Sequence, residues 1–263
     1  MKKITIIICL LVALVILMPS ASRWLEIKSA ELNCERFERE KDPVKIDSPS
    51  SPTTEVYISK ATMYMTQGTV YFEQGYLNAA IFCYDKAIKL DPNLTLAYVN
   101  RGKVYSQQGQ LDKAILDYNR AIETDSNNAD AYRLRGFTYI EKGDLDQAIT
   151  DCNKAIEVRT NESAAGISRQ RSSDPSEADS YWVRGVAYQY KGDLTQALSD
   201  YNQAIKIGSF FHPAAYYLDR AKLYFQMGEY DKSWEDVHKI ESLSVKVDPV
   251  FLKKLKKYSV SRK

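Results

Sequence analysis

From about residue 61 onward, apolar and small residues recur at helical spacing, in stripes that come two at a time and are parted by a glycine. Tyr98, Gly102 and Tyr105 stand at i, i+4 and i+7, on one face of a helix. Gly109-Gln110 interrupts that pattern. A second stripe of Leu111, Ala114, Tyr118, Ala121 and Ile122 follows, again on a single face. The pattern predicts a helix, a tight turn and a second helix. Neither helix can bury its stripe alone, so such pairs must stack on one another. The small residues Gly102 and Ala114 are expected to let the two backbones approach, with tyrosine rings filling the flanks.

The unit repeats. Gly68-Thr69-Val70-Tyr71-Phe72-Glu73-Gln74-Gly75 is echoed by Gly102-Lys103-Val104-Tyr105-Ser106-Gln107-Gln108-Gly109 and by Gly136-Phe137-Thr138-Tyr139-Ile140-Glu141-Lys142-Gly143. The leading glycines lie 34 residues apart each time. Gly185-Val186-Ala187-Tyr188-Gln189-Tyr190-Lys191-Gly192 comes 49 residues later, one period plus an insertion of 15. A weaker fifth copy carries Ala221, Tyr224 and Gly228, with Ser233 and Val237 in its later slots.

With Gly68, Tyr71, Ala80, Tyr84, Ala87 and Pro92 in these slots, the chain resembles the tetratricopeptide repeat family, whose period is also 34. The resemblance implies an all-α fold: a right-handed superhelical solenoid of about five helix-turn-helix repeats with a C-terminal capping helix. The five copies are expected at 61–94, 95–128, 129–162, 178–211 and 214–247, together spanning 61–247, with an inserted loop at 163–177. Asp174-Pro175-Ser176-Glu177 supplies a capping Asp, Pro at the first helical position and Glu three residues after the Asp. The insertion is read as a surface loop; a partner-binding or regulatory role is the sharper alternative.

The two ends carry other signals. Met1-Lys2-Lys3 precedes fifteen residues, Ile4 to Met18, of which only Thr5 is polar. Lysines before an apolar run are the layout of an export signal. Residues 1–22 are therefore expected to be a signal peptide cut near Ser20-Ala21-Ser22, or an N-terminal membrane anchor. The run itself reaches only ~22 Å of a ~30 Å hydrocarbon core. Either way the rest of the chain is expected outside the cytoplasm, in a periplasmic or other envelope setting. Residues 23–60 read as a charged segment, in which a short helix could carry Leu25, Leu32 and Phe37, followed by the Pro/Ser spacer around Ser48-Pro49-Ser50-Ser51-Pro52. At the other end, 248–263 is expected to be a basic capping helix, with Phe251, Leu252, Leu255 and Tyr258 on one side and Lys253, Lys254, Lys256 and Lys257 on the other. From Lys246 to Lys263 seven residues are basic and one acidic; from Ala61 to Val245, 20 are basic and 25 acidic.

Composition narrows the chemistry. Net charge is +2 over 263 residues, with two His and four Cys. His212 and His238 have no partners at metal-ligand spacing, and no glycine-rich phosphate loop, His-Glu-x-x-His or Gly-x-Ser-x-Gly elbow is present. The expectation is no enzyme, no cofactor, no metal, no small-molecule substrate and no nucleic-acid partner. Cys83 and Cys152 fall in second helices, where buried structural thiols are expected; Cys34 is the candidate for a free or intermolecular thiol. Arg101, Arg135, Arg184 and Arg220 precede the Gly/Ala slot, and the same copies carry Asp117, Asp151, Asp200 and Asp236. Their co-occurrence predicts an ion pair inside each hairpin.

Tyrosines outnumber the other aromatic residues, 19 against 8 Phe and 3 Trp, and most fill recurring scaffold slots. A second stripe on each first helix is not needed for the stack: Met65, Thr69 and Phe72; Val99, Lys103 and Ser106; Arg133, Phe137 and Ile140; Trp182, Val186 and Tyr190; Leu218, Lys222 and Phe225. In proteins that resemble this one, that side of the first helix lines a concave groove for partner segments. The expected partner-binding residues are Met65, Phe72, Val99, Lys103, Phe137, Ile140, Trp182, Val186, Tyr190, Leu218 and Phe225. The family's carboxylate clamp is not supported, because Met65 and Thr69 stand in its first-copy cationic slots. The expected function is a non-catalytic scaffold or adaptor that presents this groove to a peptide segment of a partner protein. The alternative is a surface-binding structural protein that uses the basic C-terminal helix on membrane or anionic polymer.

Overall fold

The computed structural model describes residues 28, 44–46, 56–164, 175–208 and 213–260. Among them, two strands, β1 (Val44–Ile46) and β2 (Val56–Ile58), pair antiparallel with Val44 opposite Ile58. This ladder brackets the Pro/Ser stretch that the sequence marks as a spacer. Val44, Ile46, Val56 and Ile58 are β-branched residues that favour extended backbone. The proposed export segment at 1–22 and Cys34 lie outside the described residues, as does the short helix expected around Leu25 to Phe37 apart from Lys28, which is helical.

Eleven helices follow within the described residues: α1 (Lys60–Glu73), α2 (Leu77–Leu90), α3 (Thr95–Gln107), α4 (Leu111–Thr124), α5 (Ala129–Lys142), α6 (Leu145–Ala164), α7 (Pro175–Lys191), α8 (Leu194–Ile207), α9 (Pro213–Met227), α10 (Tyr230–Ser242) and α11 (Pro249–Val260). They divide between two compact units, Met1–Thr124 and Asp125–Lys263. In the first unit, hairpins α1–α2 and α3–α4 stack through α2 and α3. In the second, hairpins α5–α6, α7–α8 and α9–α10 stack in the same way, and α11 lies on α10. The turn inside a hairpin is closed by glycine. Gly143 sits at φ 90°, where its N–H donates to Ile140 O and Asp144 N–H to Tyr139 O, which satisfies carbonyls at the end of α5. α6 is 20 residues long where α2, α4 and α8 have 14, so helix continues two residues into the expected insertion. Residues 165–174 lie outside the described residues.

The recurring glycine has a different role from the one expected. In α3, a Cβ added to Gly102 would stand 2.7 Å from the Tyr118 ring; at Gly68 the same holds for Tyr84, and at Gly185 the distance to Tyr201 is 2.8 Å. The nearest atoms across these glycines belong to the aromatic ring, not to a facing backbone. The three tyrosines are at most 1% exposed. The absent side chain is thus space taken by a ring, which interiors packed at crystal density require. The third copy departs: Cys152 replaces the tyrosine, and a Cβ on Gly136 would meet its Sγ at 3.1 Å and the facing Ala148 carbonyl at 3.2 Å, the close backbone approach expected of this slot. The fifth departs further, pairing buried Ala221 with buried Val237. Cys83 and Cys152 are buried thiols.

Each hairpin from the second copy onward is also tied by the predicted ion pair. Arg101 reaches Asp117, Arg135 reaches Asp151, Arg184 reaches Asp200 and Arg220 reaches Asp236, each through Nε and Nη2 to both carboxylate oxygens at 2.6–2.9 Å. These are forked, charge-assisted bonds, and the carboxylates are buried. The guanidinium faces lie against tyrosines one turn away: Arg101 against Tyr98 and Tyr105, Arg220 against Tyr217 and Tyr224. The third arm of the guanidinium reaches back to the preceding hairpin. Arg101 Nη1 meets Asp85, Arg184 Nη1 meets Asn153 and Arg220 Nη1 meets Asn202. One side chain therefore pairs inside its own repeat and links that repeat to the one before.

At the C-terminus, Leu255 is fully buried, and Phe251 and Leu252 pack on the cluster of Ala221, Val237 and Ile240. Trp234 Nε1 donates to Ser259 Oγ at 3.3 Å and so joins α10 to α11. The last apolar stripe is covered by α11, as the end of a stack requires.

Candidate functional site

The second unit holds a cleft of about 510 Å³ lined by Arg133, Leu134, Phe137, Asp179, Trp182, Val183, Ala215 and Tyr216. All eight come from first helices: α5, α7 and α9. On α5 Phe137 follows Arg133 and Leu134 by one turn, and on α7 Trp182 and Val183 follow Asp179 by one turn, so each set shares one helix face; α9 adds the consecutive Ala215 and Tyr216. Phe137 and Trp182 stack with centroids 6.3 Å apart and planes 22° apart, and Trp182 lies 6.1 Å from Tyr216. Three rings from three consecutive repeats thus form a continuous row.

The polar ends of Trp182 and of Tyr216, which is buried behind it, are pinned by a reciprocal exchange. Trp182 Nε1, on α7, donates to Asp219 Oδ2 on α9 at 2.9 Å. Tyr216 Oη, on α9, donates to Asp179 Oδ1 on α7 at 2.5 Å. Each helix gives one aromatic donor and one carboxylate acceptor, three residues apart, and the two bonds cross between them. This holds both rings in place before any ligand arrives. On the α5 side, Arg133 Nη2 donates to Asp130 Oδ1 at 3.1 Å, and Arg159 Nη2 reaches the other oxygen at 3.5 Å. The charged residues lining the cleft are Arg133 on α5 and Asp179 on α7. Lys222 pairs with Asp219 at 3.0 Å.

Of the residues expected to form the groove, Phe137 and Trp182 meet in this cleft. The others are placed differently. Val99 is buried at 3% exposure in the interior of the first unit. Met65 and Phe72 are partly buried against that unit's core, and Lys103 is partly buried on α3. Ile140 is partly buried on α5, and Val186 packs on the Ala197–Tyr201–Leu223 cluster. Leu218 and Phe225 belong to the C-terminal cluster, where Phe225 lies within 6 Å of the rings of Tyr230, Phe251 and Tyr258. The capping helix covers Phe225. Tyr190 is 73% exposed.

Tyr216, Asp179 and Asp219 are functional candidates that the periodic reading passed over. The slot of Tyr216 holds Met63 in the first copy and the small residues Ala97, Ala131 and Ser180 in the next three, so a tyrosine after three small side chains was the available signal. No group of three or more metal-ligating side chains is found among the described residues. Nor is any helix among them long and apolar enough to cross a membrane.

Comparison with known proteins agrees with this architecture. A family model described as TPR repeat matches residues 68–109 and 105–143, and one described as tetratricopeptide repeat matches 129–162 and 178–207. Among solved structures, the chain is similar to MamA at 24% identity, with 72% of this chain and 98% of that one covered and a TM-score of 0.54. It is similar to PilW, described as a widely conserved type IV pilus biogenesis factor, at 16% identity, 76% and 86% coverage and a TM-score of 0.65. It is also similar to YrrB, described as a TPR protein with an unusual peptide-binding site, at 20% identity, 75% and 92% coverage and a TM-score of 0.51. No curated protein sequence matches the chain. Five glycine-closed hairpins in one register and the family matches across the first four lead to one conclusion: the chain belongs to the tetratricopeptide repeat family.

Proposed function

We propose that this protein is a non-catalytic adaptor whose working surface is the aromatic cleft between α5, α7 and α9, and that the occupant is a segment of a partner protein. The observation that carries this reading is the stacked pair of Phe137 and Trp182, backed by the buried ring of Tyr216 and preorganised by the crossed bonds to Asp179 and Asp219. Rigid aromatic side chains with fixed polar ends are typical binding anchors, because little conformational freedom is left to lose. A cleft 510 Å³ in volume has room for one or two side chains of an extended segment. The description of the similar YrrB as peptide-binding supports the same reading.

The test compares wild type with the Phe137→Ala/Trp182→Ala protein in a display selection of random peptides, with thermal unfolding as the folding control. Peptides selected by wild type should lose binding to a double variant that still folds cooperatively. Equal binding by both proteins would refute the cleft as the site. Location is part of the proposal: the lysine-led apolar run at Ile4 to Met18 supports export. A reporter enzyme active only in the cytoplasm, fused after Lys263, should then be silent.

A further inference from the structure

The outward face of α11 is rich in lysine. Leu255 defines its buried side, with Phe251 and Leu252 beside it. Helical geometry then sets Lys253 and Lys257 almost opposite Leu255, with Lys254 and Lys256 on the flanks and Val250 on the same face, about one turn before Lys253 and Lys254. All four lysines are exposed, and Lys253, Lys254 and Lys256 make no ion pair among the described residues. Val250 is 60% exposed beside this charge. The connection from α10 adds exposed Leu243 and Val245 and exposed Lys246. Next to Val245 and Lys246 opens a hollow of about 450 Å³, lined also by Pro249 and Leu252.

We infer that this end of the molecule is a docking face for an anionic lipid bilayer, with the α11 lysines at the headgroups and Val250, Val245 and Leu243 at the boundary with the acyl chains. The charge argument is direct: seven basic residues against one acidic between Lys246 and Lys263, on a chain whose net charge is only +2. A polybasic cluster gains most from a negatively charged surface, each lysine adding to the attraction. Charge alone would suit nucleic acid equally. The exposed aliphatic residues decide between them, since a phosphate backbone has no use for Val250, whereas an interfacial helix buries such side chains while lysine stems snorkel to the headgroups. This face is separate from the aromatic cleft, so a bilayer and a peptide could be held at once.

The test is vesicle co-sedimentation of the full chain on phosphatidylcholine alone and on phosphatidylcholine with phosphatidylglycerol. Preference for the anionic vesicles, weakening as salt rises, is expected. Replacing Lys253, Lys254, Lys256 and Lys257 with Glu should lower partition to them about ten-fold or more, with the melting temperature unchanged. Lys253→Gln with Lys257→Gln, a milder change, should lower it part of the way. The N-terminal run is intact in every variant, so these differences report on α11. Val250→Ser should weaken vesicle binding without touching binding to a DNA duplex. An anionic preference that survives all the lysine changes would overturn the proposal. So would duplex binding tighter than vesicle binding and indifferent to Val250→Ser.

Discussion

The ring of Tyr118 occupies the volume that a side chain on Gly102 would need, 2.7 Å from where its Cβ would stand. Gly102→Ala should therefore destabilise the protein, although alanine is intrinsically the better helix former by ~1 kcal/mol. Overpacking of ~1–3 kcal/mol opposes that gain, and the ring has no exposed direction in which to move. Thermal melts of Gly102→Ala, Tyr118→Val and the pair together should be strongly non-additive, the double variant reproducing the Ala221–Val237 pairing of the fifth copy. Additive losses would mean that the ring does not depend on the glycine.

Arg184 illustrates the second tie between helices. Its forked bond to Asp200 cannot be copied by an ammonium, so Arg184→Lys should cost almost as much as Arg184→Met, about 2–3 kcal/mol by denaturant unfolding. Burial opposes the charge on the guanidinium, but the hydrogen bonds and charge of Asp200 outweigh it and raise the Arg184 pKa above its ordinary value. Arg184→Met with Asp200→Leu should recover much of the loss, because the uncompensated carboxylate is what costs most.

Alkali should reach the tyrosine slots before the ion pairs. Burial, opposed in part by the hydrogen bond to Thr69, pushes the Tyr84 hydroxyl up to about 12 from 10.0. Below pH 10 both folded and unfolded chains hold that proton; between 10 and about 12 only the folded chain does. Stability is therefore fully present below 10 and falls as pH rises toward 12. Tyrosinate absorbance followed with helical dichroism should show a late group of tyrosines ionising together with unfolding. Tyr84→Phe should remove part of this pH dependence. Smooth titration of every tyrosine before any helix is lost would contradict it.

Cys152 should be silent to alkylating reagents in the native protein. Its thiol is fully buried, and burial, reinforced by the Asp151 carboxylate, pushes it up to about 12 from 9.0. Modification should follow the rate of unfolding, and denaturant should accelerate it steeply. Rapid labelling of folded protein with no loss of helix would show that the third hairpin opens locally.

Helix pairs, their glycine turns and the hairpin ion pairs were legible in the sequence because each depends on spacing within one repeat. Arg184 and Asp200 are 16 residues apart in a rigid hairpin, so a recurring pattern suffices to place them together. The aromatic row was only half legible. Phe137 and Trp182 share the second stripe, but Tyr216 does not, and nothing in a periodic pattern says that its hydroxyl reaches Asp179, 37 residues back, while Trp182 reaches Asp219.

The covered residues taught the same lesson from the other side. Val99 and Phe225 have the polarity and spacing of groove residues, yet one is interior and the other lies under α11. By itself the sequence determined the repeat, its register and the pairs internal to each hairpin, since those follow from backbone geometry and a fixed period. Tertiary structure alone decided which second-stripe residues reach solvent and which side chains from different repeats converge. Both depend on where neighbouring helices pack and on what the end cap covers, and a one-dimensional pattern does not carry that information.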